Sequence, residues 1–359
     1  MTPGSTSQLL AAVSTVDPLL DQPAPDDDDL ARAHRVLHAR IELAGQRADT
    51  RLDHGQAGEG LQIGRPRRRP LLAAAATAAL VLAGSVTWQV AGAGHPGGAS
   101  PAAAAALEQA AAAAIDAQDP TLQPGQYLKV TTKAVWSSTA GDAPGGPFTW
   151  LDQEVIEVWK PADPSAEWVQ KRSGRVPYKW LRPGDEQLAR DNGLLDTPQL
   201  AGVLRAEQGE FYGPGSGPLP ATVLELPRDP DELLATIYRE TEGAGPSKDG
   251  EALVWIADVL RSGLVPADLR AVLFQAATGI PGVEVVDRRA NLDGRVGVAV
   301  GRDERANGSS FRQELIFDQS TGQVIGERQV ALEDDGTGVR AGDTYSFTSV
   351  STTVVDSAP

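Results

Sequence analysis

One segment near the N-terminus constrains this chain more than any other. Residues 71–90 form an apolar run of 20 residues, LLAAAATAALVLAGSVTWQV, whose only clearly polar members are Thr77, Ser85, Thr87 and Gln89. About 20 mostly apolar residues are needed for a helix to cross the hydrocarbon core of a bilayer. The run therefore predicts one transmembrane helix, with bounds of about 70–92.

The charges on either side of the run indicate its orientation. Arg65, Arg67, Arg68 and Arg69 precede it, and no other Lys or Arg follows until Lys129. Cytoplasmic flanks of membrane helices carry the excess of positive charge. We therefore expect a single-pass protein of the cell (inner) membrane, with the N-terminus in the cytoplasm and the C-terminal domain outside it.

Neither a buried helix nor an export signal fits the context of the run as well as a membrane anchor does. A buried helix of a water-soluble domain is rarely so long and so asymmetrically flanked, and a twin-arginine signal has a different polar and aromatic context. A secretory signal peptide usually has a short leader, whereas residues 1–70 come first here. A retained anchor is favoured, although an A-x-A-like sequence at residues 91–93 leaves late cleavage open.

The charge of the remaining chain limits its partners. The net charge is −16 at pH 7, and after residue 70 there are 23 basic and 38 acidic side chains. A surface this acidic repels phosphate backbones, so no nucleic-acid partner is expected for the large domain.

The distribution of histidine and cysteine excludes several chemistries. The chain has no cysteine, and its four histidines are His34, His38, His54 and His95. Residues 123–359 therefore cannot support thiol catalysis, a Ser–His–Asp triad or a histidine-ligated metal. Paired carboxylates stay available, but solvated surface charge explains them more simply. We expect a protein that is not an enzyme and has no cofactor or metal.

The cytoplasmic segment, residues 1–69, is expected to be partly disordered with one helix at about 26–44. The run Asp26–Asp29 suits a helix start, and apolar residues recur behind it at helical spacing. Leu30, Leu37 and Ile41 form a stripe that would fit a partner's groove. The alternative is a marginal helix with no partner.

Residues 93–122 are predicted to be a linker followed by an alanine-rich helix, and residues 123–359 an extracytoplasmic domain. That domain begins with strand-like segments, continues with three amphipathic helices and returns to strands. The first of these helices begins at an Asp229 cap followed by Pro230. The order predicts an α+β fold in which an antiparallel sheet, with a half-barrel as one possible form, packs on about three helices. Residues 181–227 show no firm pattern.

Alternation in one late strand indicates a buried face. Val296, Val298 and Val300 alternate with smaller or charged residues, so we expect all three valines on the buried side of the sheet.

Tryptophans in the first strands suggest a ligand cleft. Trp150, Trp159 and Trp168 lie within strand-like segments, and indoles of this kind can line a hydrophobic cleft. At strand spacing such residues are more often part of a core, and this second interpretation stays open.

Several segments resemble an uncharacterised actinobacterial family of single-pass membrane proteins. They are LPRDPDELLATIYRE, VLRSGLVPADLRAVLFQAATGIPGVEVV and DGRVGVAVG…RQELIFDQSTGQVIGERQV, and QPAPDDDDLARAHRVLHARI, RPRRRP and PGQYLKV match the family's other parts. The resemblance covers most of the chain, with residues 224–330 its most specific part. FDQSTGQVIGERQ is also loosely similar to lipoprotein-carrier and sigma-regulator domains, in which a curved sheet wraps over helices.

Two functions follow from these observations. Family genes tend to lie near genes of extracytoplasmic-function sigma factors, which implies a sigma factor as cytoplasmic partner, although the usual zinc anti-sigma motif is absent here. The chain would then be a non-enzymatic transmembrane regulator with an outer sensing domain. In the alternative, the outer domain binds a lipid or other apolar ligand, and the bilayer anchor only localises it.

Overall fold

The computed structural model describes residues 97–359 apart from residues 118, 142, 144–145, 196–200, 214–216, 220 and 307. Its main element is an antiparallel sheet of ten strands. The strands are β1 (Tyr127–Ala140), β2 (Phe148–Pro161), β3 (Glu167–Ser173), β4 (Val176–Trp180), β5 (Ala201–Glu207), β6 (Glu284–Leu292), β7 (Arg295–Ala306), β8 (Ser309–Asp318), β9 (Gln323–Ala331) and β10 (Thr344–Val355).

The helices of the described region are α1 (Pro101–Ala117), α2 (Asp185–Asp191), α3 (Ala221–Leu224), α4 (Pro230–Glu240), α5 (Lys248–Leu260) and α6 (Ala267–Thr278). This architecture confirms the predicted α+β class with an antiparallel sheet. None of the described helices has the length and apolar content that crossing a lipid bilayer requires.

The strand order places the first and last strands side by side. It runs β5-β3-β2-β1-β10-β9-β8-β7-β6, and β4 pairs with β2 beside β3. Tyr127 to Val135 of β1 pair with Val355 to Phe347 of β10. The sheet therefore consists of two halves joined along the β1–β10 pair.

Local sequence explains where the central helices begin. The Asp229 side chain accepts hydrogen bonds from the backbone N–H groups of Asp231 (3.1 Å) and Glu232 (2.9 Å), and Pro230 occupies the first turn of α4. Ser247 caps α5 by accepting from the Gly250 N–H group. These contacts satisfy N–H groups that the first helical turn cannot pair internally.

The helices bury their apolar sides against one face of the sheet. One large core cluster contains helix residues such as Leu253, Leu269 and Phe274 together with Val130 and Leu315 of the sheet. A smaller cluster, centred on Ala290, Leu292, Ala299, Ile316 and Ile325, lies apart from it. We call the helix-covered side of the sheet its inner face and the other side its outer face.

The alanine-rich helix α1 packs closely because its buried side chains are small. It lies against α6, and the turn between β8 and β9 presses on it. A Cβ atom on Gly322, which has φ +63°, would collide with the backbone carbonyl of Ala110 and lie 2.6 Å from the backbone nitrogen of Ala114. Glycine at this turn lets the sheet and α1 meet.

The hairpin between β6 and β7 turns back over the outer face. Asp293 at its tip accepts a hydrogen bond from Lys133 of β1 (2.8 Å) and another from Ser349 of β10 (3.1 Å). Of the three valines expected on one buried face, Val298 and Val300 are buried but Val296 is 52 % exposed, so that prediction was wrong. β7 pairs with β8 only from Val298 onward, so Val296 lies where the β6–β7 hairpin extends beyond β8.

The predictions for residues 1–96 lie outside the described residues. These are the helix at about 26–44 with Leu30, Leu37 and Ile41, the arginines Arg65, Arg67, Arg68 and Arg69, and the span at 70–92.

Candidate functional site

A cleft of about 310 Å³ lies between the end of α5 and strands β1 to β3 on the inner face. Its floor is apolar, with Val130 of β1 opposite Val158 of β2 and with Ile156 beside them. Phe211 and Pro218, from the segment after β5, and Leu264, from the α5–α6 loop, close its sides. The walls thus come from three separate parts of the chain.

A hydrogen-bond network stiffens one wall of this cleft. Arg172 of β3 donates to both carboxylate oxygens of Glu154 at 2.6 Å, and Glu154 is buried. The hydroxyl of Tyr212 donates to the side-chain oxygen of Gln170 at 2.6 Å and accepts from Arg172 at 3.1 Å. The hydrogen bond with Glu154 raises the pKa of Arg172, so the wall is a fixed, charge-assisted structure.

A second cavity, of about 180 Å³, lies between α5 and strands β8, β9 and β10. Its lining includes Val254 and Asp258 of α5, Gln313 of β8 and Glu327 of β9. Asp258 also lines the first cleft. Asp258 is thus common to the two linings, and we refer to the two spaces together as the α5 cleft.

The N-terminal end of α5 is tied to the sheet away from the α5 cleft. The Ser247 hydroxyl donates to Glu304 of β7 at 3.0 Å, and Arg302 donates to Ser247 at 2.9 Å. Tyr238 of α4 donates to Asp249 of α5 at 2.8 Å. These bonds fix the position of the helix that forms one side of the α5 cleft.

Two carboxylates in the α5 cleft share one guanidinium group. Arg261 lies 2.7 Å from Asp258 and 3.0 Å from Glu327. Burial raises the pKa of Glu327 to about 7; the charge of Arg261 opposes the rise, and the charge of Asp258 adds to it. For Arg261, burial acts to lower the pKa, but the two carboxylates outweigh it and the pKa is raised.

Gln313 adds an unusual polar atom to this group. Its amide nitrogen donates to Glu327 at 2.9 Å. Its amide oxygen is buried and has no hydrogen-bond partner among the described residues. Buried polar atoms are almost always paired, so this acceptor, which no described group uses, is unusual.

The α5 cleft holds groups of three kinds. It combines an apolar floor with a carboxyl group that titrates near neutral pH and an amide acceptor. Within residues 97–359, leaving aside the positions not described, there is no group of three or more metal-ligating side chains.

The structure places the three predicted cleft tryptophans in separate environments. Trp168 belongs to the main core and donates to the Pro164 carbonyl at 3.0 Å. Trp150 packs with Phe148 in a small separate cluster. Trp159 lies under the ammonium group of Lys129, 5.1 Å from the ring centroid. All three are buried, and a role in ligand contact stays a prediction.

The sequence did not indicate Glu327 as a site residue because of a bulge in β9. Phe317 pairs with Val324, whereas Leu315 pairs with Glu327, so one extra residue lies in β9 between these pairs. The extra residue turns Glu327 to the inner face, where simple alternation from Val324 would not put it.

Comparisons with known proteins give no family for this chain. No protein-family model matches it, and no curated protein matches it. Among solved structures, it is similar to a DUF1329 family protein from Desulfovibrio piger, with 10 % sequence identity over 71 % of this chain and 93 % of that chain. The TM-score is 0.18, and at that value the likeness supports no conclusion about fold or function.

Proposed function

We propose that this protein is a membrane-anchored, non-enzymatic sensor whose extracytoplasmic domain binds an amphipathic small molecule in the α5 cleft. The single observation that carries the proposal is the α5 cleft itself, with an apolar floor and a polar end at Gln313, Glu327 and Arg261. In this proposal the sheet is a half-barrel around α4, α5 and α6. The cytoplasmic helix at about 26–44 transmits the bound state to a sigma factor.

The floor of the α5 cleft suits the apolar part of such a ligand. Val130, Ile156 and Val158 present a continuous aliphatic surface from two adjacent strands. Each methylene group buried there contributes about 0.8 kcal/mol, so a chain of about six carbons contributes roughly 5 kcal/mol before the entropic cost of binding.

The polar end of the α5 cleft suits a hydrogen-bonding headgroup. The unpartnered oxygen of Gln313 accepts a hydrogen bond, and Glu327 donates or accepts according to pH. A headgroup that has both a donor and an acceptor, such as an amide, a hydroxyl or a neutral carboxyl, can form hydrogen bonds with Gln313 and with Glu327.

The membrane anchor in this proposal is the run at residues 71–90 behind Arg65, Arg67, Arg68 and Arg69. It would hold the domain next to the bilayer, where amphipathic molecules are concentrated. The surrounding lipids are therefore one source of ligand.

Photo-labelling tests the binding step. The full chain in phosphatidylcholine nanodiscs is irradiated with a medium-chain fatty acid that carries a diazirine, and labelled peptides are identified by mass spectrometry. Ile156→Trp fills the α5 cleft, and we expect it to reduce labelling of the strands that form the floor at least fivefold. Val203→Trp, at an exposed position of β5, is the matched control. Equal labelling of both variants would rule out the α5 cleft as the binding site.

A pull-down tests the regulatory step separately. The full chain is presented to the sigma factor encoded nearest to its gene, and Leu37→Asp combined with Ile41→Asp is the control. Capture by the wild type alone supports the sensor. If a folded, active sigma factor is captured by neither, while cleft labelling persists, the alternative function holds and the anchor only localises a binder of a lipid or other apolar ligand.

A further inference from the structure

A third cavity, of about 260 Å³, lies where strands β9 and β10 diverge. The two strands pair only as far as Gly326 and Ser349, and beyond this point β10 continues beside β1. The α5–α6 loop covers the divergence on the inner face, with Gly263 and Val265 in the lining. We call this space the split cavity; it shares no lining residue with the α5 cleft.

Arg270 enters the split cavity from the first turn of α6. Its side chain is only 7 % exposed. One terminal nitrogen donates to the Val265 carbonyl at 2.8 Å, and both terminal nitrogens lie 3.3 Å from a single oxygen of Asp119. The Nε atom is buried and has no hydrogen-bond partner among the described residues. The terminal nitrogens of the guanidinium are thus paired, whereas the Nε–H group is a buried donor without a partner, which is costly.

Arg295 reaches the split cavity from the β6–β7 hairpin on the outer face. Its guanidinium donates to the backbone carbonyl of Ile325 on β9 at 2.7 Å and to that of Val350 on β10. In the described part of the chain no carboxylate lies within ion-pair distance of it. Burial lowers the pKa of Arg295, and the charge of Asp293 offsets this only in part. The arginine therefore holds the two strands together through neutral groups, and its charge is not balanced by a paired anion.

The one acidic residue in the lining is already engaged by its own turn. Asp318 accepts hydrogen bonds from the backbone N–H group and the hydroxyl of Ser320, at 2.8 and 2.7 Å. Burial alone would raise the pKa of Asp318, but these bonds and those from Thr321 outweigh it and lower the pKa. Its charge is stabilised by the turn. The hydroxyls of Thr321, Ser351 and Thr352 complete a polar lining.

We propose that the split cavity binds a small oxyanion, a phosphate or carboxylate group, through Arg270 and Arg295. Guanidinium groups present planar sets of N–H donors that match both kinds of group. The volume far exceeds the roughly 10–15 Å³ that a single water needs. Two arginines that line one cavity are notable because the domain around them carries a net negative charge. The inference is independent of the function proposed for the α5 cleft.

Calorimetry tests the site with defined probes. The full chain in phosphatidylcholine nanodiscs is titrated with sodium phosphate, sodium acetate or sodium chloride at equal ionic strength. We expect saturable binding of phosphate or acetate but not of chloride. Arg295→Gln should weaken that binding at least tenfold, whereas Arg289→Gln, the same change at an exposed position of the same hairpin, should not. Equal binding by the two variants, or no saturable binding by the wild type, overturns the proposal.

Chemical modification of the wild-type chain avoids any folding defect in the variants. Phenylglyoxal modifies accessible arginines, and the sites are quantified by mass spectrometry. Phosphate should slow modification of Arg295 at least fivefold and leave Arg289 unchanged. If phosphatidic acid in the nanodiscs slows modification of Arg295 without added phosphate, a lipid headgroup is the source; if only added phosphate slows it, the source is the free anion. Absence of protection in every disc refutes the site.

Discussion

Replacing Glu327 by glutamine should change how the stability of the domain depends on pH. The folded protein holds this carboxyl at a pKa of about 7, against an ordinary value of 4.5. Because its pKa is raised on folding, the folded state binds the proton more tightly than the unfolded state. The free energy of unfolding therefore falls as pH rises from about 4.5 to about 7.

The magnitude follows from the difference in proton affinity. Each tenfold change in affinity corresponds to about 1.4 kcal/mol, so the full effect is on the order of 3 kcal/mol. Below about pH 4.5 this carboxyl is protonated in both states, so it does not make the free energy of unfolding depend on pH. Above about pH 7 it is ionised in both states, and the full loss of unfolding free energy is reached. Glu327→Gln keeps the shape of the neutral acid and should remove this slope.

The assay is urea denaturation of the full chain, followed by tryptophan fluorescence at several pH values between 5 and 8. Residues 97–359 contain no histidine, so few other groups of this domain titrate in that range. Wild type minus Glu327→Gln should give a difference in unfolding free energy that falls as pH rises. Glu225→Gln, at an exposed position, is the control and should parallel the wild type.

The cause of the raised pKa can be tested with a second variant. Asp258 and Glu327 share Arg261, so Asp258→Asn leaves the guanidinium to Glu327 alone. The pH dependence attributed to Glu327 should then move to lower pH. Parallel curves for wild type and Glu327→Gln from pH 5 to 8 would refute the reasoning, and an unmoved transition in Asp258→Asn would show that the two carboxylates do not compete for one cation.

Three further changes test packing and local structure by the same urea titration. Gly322→Ala should lower the free energy of unfolding by about 2–5 kcal/mol, because the new Cβ collides with α1 and the backbone has a left-handed conformation. Gly294→Ala, the control, has φ +85° but no atom within 4 Å of the added Cβ, so it should lower the free energy of unfolding by only about 1–2 kcal/mol. Leu253→Ala, at a fully buried position of α5, should lose about 2–5 kcal/mol. Asp229→Ala should lose about 1 kcal/mol, because it removes the acceptor that caps α4. An effect of Gly322→Ala no larger than that of Gly294→Ala would contradict the contact with α1.

Helices were the part of the fold that the sequence indicated most directly. The α4 cap at Asp229 and the apolar stripes of α5 and α6 are local signals, and the structure has these helices where the signals occur. Residues 181–227 gave no pattern partly because β5, which lies in this segment, is an exposed strand at the margin of the sheet. Alternation cannot reveal a strand that buries little on either face.

The candidate site was harder to predict because its parts depend on long-range placement. Phe211 and Pro218 meet β1 and β2 only through the fold, and Glu327 faces inward only because of the bulge in β9. For the tryptophans, one signal was available. Trp150 and Trp159 lie in the same strand, an odd number of positions apart, so regular alternation already sends them to opposite faces.

The pairing of β1 with β10 has a consequence for how the domain is made. Nine strands precede β10 in the chain, yet β10 occupies the middle of the finished sheet. During synthesis each half can form its own hairpins, but the seam between them stays open until residues near 355 are available. Such late pairing of distant segments makes folding slow and leaves unpaired strand edges exposed in the meantime. Removing only the last dozen residues would divide the sheet at its centre, whereas a comparable deletion of β5 would merely shorten one side.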